Sequence, residues 1–198
     1  MAAFLFYRHL QSCSAMILTF IISLLIAGLT GNSSTSCDSL KIKDNLVSWG
    51  HKKVDLPRRI EAIIIHSSYN ALNSDSFSVD GILEEYKQIS VSPHYIIDRS
   101  GVIYRLVRDE EIAYHAGKSR LPDGKTDVNR VSIGIELINT ETDPPTEEQY
   151  VSLVKLITCL KEKYPVKYVL GHSDIAPGRK TDPWDFDWQK LDAMLKSP

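Results

Sequence analysis

The sequence predicts an α/β fold, with a central mixed β-sheet flanked by helices in a single domain. Three observations favour this class. Short β-branched runs alternate with segments of helical periodicity along most of the chain, a pattern typical of α/β proteins. The run at 60–66 (IEAIIIH) is apolar on both faces, as in strands that are covered on both sides. Two strand-like runs separated by DRSG indicate an antiparallel hairpin, which makes the sheet mixed.

The predicted elements follow one another along the chain with short connections. Strands are predicted at 60–66, 94–98, 102–107, 131–138 and 166–170, and helices at 79–89, from Thr146 onward and from about Trp188. Ser78 precedes the first helix and has the side chain of a good N-cap. Thr146 with Gln149 three residues later makes a capping box at the start of the second helix.

Length and composition indicate one soluble globular domain with an N-terminal extension. The chain has 198 residues, of which 43% are hydrophobic and 24% charged. A core of this size can fold without disulfides or metals to hold it together. The net charge of -2 gives no general attraction to nucleic acid or to an anionic membrane, so we expect no nucleic-acid partner.

Residues 1–36 have the pattern of a secretory signal peptide. Arg8 and His9 precede an apolar run at 16–29, which is followed by a stretch of small polar residues. The apolar run is shorter than the roughly 20 residues that a membrane-spanning helix needs, although a retained signal anchor is the alternative. The segment predicts an exported protein of the periplasm or cell envelope.

Cys37 is the first residue of a polar N-terminal arm at 37–57, and it could either carry a lipid or form a disulfide. Cys37 follows the signal segment directly, where a lipoprotein carries its lipid, but Ser34 stands where such proteins usually have Leu. Cys159 lies on the second predicted helix. These two cysteines could pair, and nothing in their spacing requires it. Any membrane association is therefore expected only through a signal anchor or a lipid on Cys37.

Two histidines and one aspartate form a candidate metal-binding set. His66 ends the first predicted strand, His172 ends the last one (VLGH), and Asp182 comes ten residues later across a Gly/Pro-containing loop. Functional side chains are common where strands end and loops begin. Two imidazoles and a carboxylate suit Zn²⁺ and leave a fourth position for water, as in catalytic zinc sites.

Five segments together resemble the zinc-dependent N-acetylmuramoyl-L-alanine amidases, including AmpD-type enzymes and, more distantly, peptidoglycan recognition proteins. The segments are IIIHSS, SPHYIIDRSGVIY, AYHAGKS, SIGIELIN and GHSDIAPGRKTDPWDFDW, in this order. The likeness covers about 60–191, so residues 58–198 are expected to form the zinc amidase domain. It implies that His66, His172 and Asp182 are the zinc ligands.

The resemblance also implies two catalytic residues. Glu136 in SIGIELIN matches an acidic residue that handles the catalytic water, and a carboxylate there can take a proton from water and pass it to the departing amine. Lys180 matches a lysine that stabilises the tetrahedral oxyanion. The alternatives are a structural ion pair for Glu136 and a solvated loop cation for Lys180.

Several residues around the motifs are expected to contact substrate. In the family, the His-Ala-Gly segment lines the substrate groove, which places His115 there. Arg179 could hold a substrate carboxylate in a bidentate fork, or could be a surface loop residue. Tyr114 stands where the family often has Trp, and Trp184 replaces a frequent Gly. Trp184 either packs or offers a flat platform to a sugar, whereas His94 is expected to be a packed strand residue.

The resemblance implies hydrolysis of the amide between the lactyl group of N-acetylmuramic acid (MurNAc) and L-alanine. Peptidoglycan or muropeptides would be the partner, zinc the cofactor, and the protein a monomer. One alternative is a binding module that recognises peptidoglycan without cutting it. Another is a zinc hydrolase that acts on a different amide.

Overall fold

The computed structural model describes Cys37, residues 40–72 and residues 74–196. The predicted signal segment lies outside these residues. The described residues belong to one compact unit, which spans 35–198. Within this part of the chain, no helix has the length and apolar character needed to cross a membrane.

A six-stranded mixed sheet forms the centre of the unit, as the sequence predicts. In chain order the strands are β1 (Ile42–Asp44), β2 (His51–Lys52), β3 (Ala62–Ser68), β4 (Tyr95–Ile97), β5 (Ile103–Arg105), β6 (Ile112–Ala113), β7 (Ser132–Ile138) and β8 (Tyr168–Gly171). The strand order is β1-β5-β4-β7-β3-β8. Only the predicted hairpin, β4 with β5, is antiparallel in this sheet. β2 and β6 pair separately.

Five helices accompany the strands in the described residues. They are α1 (Val79–Gln88), α2 (Val128–Val131), α3 (Glu147–Lys163), α4 (His172–Ile175) and α5 (Trp188–Lys196). The predicted caps are confirmed: the Ser78 side chain accepts from the backbone of Gly81, and Thr146 with Gln149 forms the capping box of α3. The Gln149 amide also donates to the backbone oxygens of Ile97 and Ile138. It therefore ties the start of α3 to the ends of β4 and β7.

The alternation of side chains along β3 explains why this strand is apolar throughout. Ile63 and Ile65 lie in the cluster beneath α3 and α5, whereas Ala62 and Ile64 lie in a second cluster on the opposite face. Successive side chains of a strand point to opposite faces, so both faces of the sheet are covered. His66 continues the alternation onto the face of Ala62 and Ile64.

The polar arm is part of the sheet, which the sequence did not predict. β1 pairs in parallel with β5 and forms one edge of the sheet, and the backbone of Val47 donates to Leu106. Three partly exposed residues carry too little apolar periodicity to indicate a strand. Cys37, at the start of the arm, forms a disulfide with Cys159 on α3. The pairing that the sequence leaves open is therefore present.

Candidate metal centre

Adjacent parallel strands place the first metal-ligand candidate beside the proposed acid–base group. His66 on β3 is the register partner of Glu136 on β7, and both are buried. Partners at one register of a parallel pair project to the same face. Ile135 and Leu137, which flank Glu136, lie in the core cluster on the other face. The alternation that fills the core thus directs Glu136 toward His66.

The second and third ligand candidates come from the region after β8. His172 is the first residue of α4 rather than the end of the strand, because β8 stops at Gly171. The Ser173 amide donates to the backbone oxygen of Asp182, 2.8 Å away. This bond closes the loop and brings Asp182 back beside His172. β8 neighbours β3 in the sheet, so His172 and Asp182 reach His66.

The three predicted ligands converge with the spacing that a tetrahedral metal ion requires. His66 Nδ1 lies 3.0 Å from His172 Nδ1 and 3.3 Å from Asp182 Oδ2, and the latter two atoms are 3.1 Å apart. Ligand bonds of about 2.0–2.1 Å at tetrahedral angles separate donor atoms by about 3.3 Å. All three residues are buried, and together they could hold a metal ion.

The protonation state of His66 also suits a metal. Burial lowers the pKa of His66 to about 4, so its imidazole is neutral near pH 7. Metal ligation needs neutral imidazole and ionised carboxylate, and the neutral His66 ring meets the first of these requirements.

Glu136 has the environment of an acid–base group. Burial, followed by the negative charge of Asp182, raises the pKa of Glu136 to about 8. None of the ion pairs in the described part of the chain includes Glu136, so the structural ion pair finds no support. Instead, the Tyr86 hydroxyl donates to Ser68 Oγ, 2.7 Å away, and both side chains lie close enough to the Glu136 carboxyl to offset part of the rise in its pKa.

Tyr86 is a site residue that sequence reasoning missed. It lies on the apolar face of α1, where its spacing from Ile82 and Val79 predicts only core packing. Its phenol end nevertheless reaches Glu136 and lines the same cavity. A buried tyrosine hydroxyl usually has a hydrogen-bond partner. The polar hydroxyl on an otherwise apolar helix face is therefore the feature of the sequence that could have identified Tyr86 as a site residue.

A cavity of about 370 Å³ opens over the candidate metal centre, and the predicted substrate-contact residues lie along it. Its walls include Tyr114, His115, Arg179, Lys180 and Trp184. Lys180 is exposed on this wall. The cavity also holds Glu136 and the three ligand candidates, so the predicted site residues lie together.

The residues predicted to contact substrate differ in the hydrogen bonds that they make with other parts of the protein. Arg179 donates to the backbone oxygens of Ala116 and Lys118. It therefore stabilises the loop at 116–118. Both ring nitrogens of His115 meet protein atoms. Trp184 Nε1 donates to Thr181.

His94, in the SPHY segment, has a structural role, as predicted. His94 is fully buried. Its Nδ1 accepts from the Gly134 amide at 3.0 Å, which links the residue before β4 to β7. The Arg58 guanidinium lies 2.8 Å from His94 Nε2.

Comparisons with known proteins agree with this arrangement. Residues 56–185 match the family described as N-acetylmuramoyl-L-alanine amidase. The chain is 42% identical over 114 residues to the 1,6-anhydro-N-acetylmuramyl-L-alanine amidase AmpD of Enterobacter cloacae, a match covering 56% of this chain and 60% of the relative. Against AmpD of Haemophilus influenzae it is 33% identical over 159 residues, covering 71% of this chain and 85% of the relative.

Solved structures resemble the fold as well. A crystal structure of a selenomethionine AmpD derivative superposes with a TM-score of 0.68 at 27% identity, covering 78% of this chain and 94% of that one. The Escherichia coli amidase AmiD, in complex with the substrate anhydro-N-acetylmuramic acid-L-Ala-D-γ-Glu-L-Lys, gives a TM-score of 0.61 at 30% identity, with 72% and 60% covered. The chain belongs to the N-acetylmuramoyl-L-alanine amidase family, and within it resembles the AmpD type.

Proposed function

We propose that the protein is an N-acetylmuramoyl-L-alanine amidase that hydrolyses the amide between the MurNAc lactyl group and L-alanine of peptidoglycan or its fragments. The observation that carries this proposal is the triangle of His66, His172 and Asp182 beside the buried Glu136. A binding module would need neither a complete ligand set nor an acid–base group. The AmiD complex with an anhydro-muropeptide supports the substrate class.

Zinc is the ion that we propose for the triangle. The donor set of two imidazoles and one carboxylate, with 3.0–3.3 Å between donor atoms, fits its tetrahedral preference and leaves one position open. When bound, zinc supplies Lewis acidity, which polarises the scissile carbonyl and makes water nucleophilic near neutral pH.

Glu136 and Lys180 would carry out the steps that belong to the protein. The Glu136 carboxylate accepts a proton from the attacking water and passes it to the departing alanine nitrogen. Burial and the charge of Asp182 raise the pKa of Glu136 to about 8; a divalent cation held by the triangle would lower this pKa and make the carboxylate form available. Lys180 reaches the groove from its exposed wall and stabilises the charge that develops on the carbonyl oxygen.

The aromatic side chains of the groove are proposed to bind the glycan part of the substrate. Trp184 is fixed by its backbone bond to Ser67 and lies 5.9 Å, centroid to centroid, from the ring of Tyr69. Tyr114 stands half-exposed at the rim. Flat rings held in place offer apolar faces to a sugar at little entropic cost.

We expect Trp184→Ala to raise KM for a muropeptide about 2- to 10-fold, the equivalent of a contact worth about 0.5–1.5 kcal/mol. The turnover number should stay nearly unchanged, because Trp184 is not among the proposed ligands or proton-transfer groups. Steady-state kinetics of the purified variant measure both constants. Trp184→Phe keeps a ring and should keep KM near wild type, whereas equal KM values for all three proteins would exclude the contact.

Export to the periplasm or cell envelope is also proposed. The polymer that the enzyme would cut lies outside the cytoplasmic membrane, and the disulfide between Cys37 and Cys159 suits an oxidising compartment. Fractionation of cells that produce the protein tests the location. Recovery in the cytoplasmic fraction with both thiols reduced would contradict export.

The decisive experiment on the activity is mass spectrometry of purified peptidoglycan after incubation with the protein. We expect free stem peptides that begin with L-alanine, lost after treatment with a chelator and restored by added zinc. Free stem peptide serves as a control substrate, because a hydrolase of another amide would cut it further. A folded, zinc-loaded protein that releases nothing would overturn the amidase proposal.

A further inference from the structure

We propose that residues 115–116 form a positioning element that fixes which nitrogen of each imidazole faces the metal. The His115 side chain orients His66, and the Ala116 carbonyl orients His172. This inference rests on the metal site proposed above and assigns the two residues a role outside substrate binding. It follows from where the hydrogens of the buried contacts must lie.

The arrangement begins at Ser132, the first residue of β7. Its hydroxyl donates to the backbone oxygen of Val128 at 2.6 Å. A serine hydroxyl has one hydrogen, so Ser132 Oγ can only accept from His115 Nε2, 3.2 Å away. The proton of the neutral His115 ring is therefore on Nε2, and its Nδ1 is an acceptor.

His66 follows from this assignment. Its Nε2 lies 2.9 Å from His115 Nδ1. Because His115 Nδ1 is an acceptor, His66 must donate from Nε2. A neutral imidazole with its proton on Nε2 carries a lone pair on Nδ1, and His66 Nδ1 is the atom that belongs to the ligand triangle.

The hydrogen bond from His172 Nε2 goes to a backbone carbonyl oxygen, whereas that from His66 Nε2 goes to a side chain. His172 Nε2 lies 3.2 Å from the carbonyl oxygen of Ala116. A carbonyl oxygen only accepts, so the proton of His172 is on Nε2 and its Nδ1 lone pair faces His66 and Asp182. Two consecutive residues therefore set both imidazoles. Outer partners of this kind orient metal ligands and fix their tautomers.

Other contacts hold the positioning element itself. Asn129 Oδ1 accepts from the backbone amides of both His115 and Ala116, at 3.1 and 2.8 Å. Arg179 donates to the Ala116 oxygen at 2.8 Å. A Cβ on Gly134 would lie 2.5 Å from the His115 ring, so the ring rests against β7 at a place where only glycine fits.

The test is the zinc affinity of His115 variants, measured by competition with a chromophoric chelator. His115→Phe keeps the ring shape but removes the acceptor for His66. We expect its zinc dissociation constant to rise about 10- to 100-fold. His115→Asn can place an oxygen near the former Nδ1 position, and should stay within about threefold of wild type. Tyr114→Phe, a change on the neighbouring groove residue, is the matched control and should not alter zinc affinity.

Each outcome distinguishes this inference from the proposals on which it depends. A substrate-contact role for His115 predicts unchanged zinc affinity in His115→Phe with a raised KM, and that result overturns the inference alone. Wild-type protein that binds no zinc overturns the metal site as well. Should His115→Phe fail to fold, Ser132→Ala removes the acceptor for His115 Nε2 and is expected to weaken zinc binding too. Unchanged affinity in that variant would also contradict the inference.

Discussion

Glu136→Gln is expected to lower kcat about 10²- to 10⁴-fold, the range that general acid–base groups contribute. The amide has nearly the same shape as the carboxyl but cannot accept a proton from water. Glu136 is not a member of the ligand triangle, so zinc content should stay at the wild-type level. Release of amino groups from a muropeptide, followed with time on zinc-loaded protein, gives the turnover number, and metal analysis of the same sample gives the zinc content.

Glu61→Gln is a matched control, because Glu61 is the other buried glutamate of the described residues and lies just before β3. It pairs with Lys125 and Arg59 at a distance from the cavity. Its substitution should reduce stability and leave kcat of the folded protein near wild type. Glu136→Gln protein that turns over at the wild-type rate would rule out the proton-transfer role. Equal losses in both variants would indicate a general effect on the fold.

The central sheet and the ligand set could be predicted from the sequence because their signals are local. The isoleucine-rich run before His66 is apolar on both faces, and β3 is covered on both sides. The capping box at Thr146 needs only two residues three positions apart. The ligand candidates follow strands, and parallel neighbouring strands bring their carboxyl ends to one edge of the sheet. Local patterns therefore sufficed to bring the three candidate ligands together, whereas their role as zinc ligands was implied by the resemblance to a known family.

The contacts that complete the site could not be predicted, because they join residues far apart in the chain. Tyr86 reaches Glu136 from a helix face that looks wholly apolar. Asn129 holds the segment around His115 by side-chain-to-backbone hydrogen bonds. Such bonds produce no hydrophobic periodicity in the sequence. The sequence resemblance put His115 in the substrate groove, and the structure adds that both its ring nitrogens are used within the protein. Such hydrogen bonds depend on the folded geometry.

Loss of the disulfide is expected to have the largest effect on stability. Cys37 and Cys159 are separated by 122 positions, and closing so long a loop in the unfolded chain lowers its entropy by the equivalent of about 5 kcal/mol. We therefore expect Cys159→Ser to lower the free energy of unfolding by about 2–5 kcal/mol. Denaturant unfolding of the two proteins measures the difference. Reductant should destabilise the wild type by a similar amount and leave the variant unaffected. Identical midpoints with and without reductant in the wild type would contradict the expectation.

The same bond bears on the proposed attachment of the protein in the cell envelope. A lipid attached to Cys37 would occupy the sulfur atom that the disulfide uses, so one molecule cannot have both, and a lipidated chain would leave Cys159 with a free thiol. We expect protein isolated from the envelope to react with a thiol reagent at Cys159 only after denaturation and reduction. Labelling of Cys159 on denaturation alone, with a lipid mass on Cys37, would instead mean that the mature protein is anchored and that its arm is held to α3 without a covalent bond.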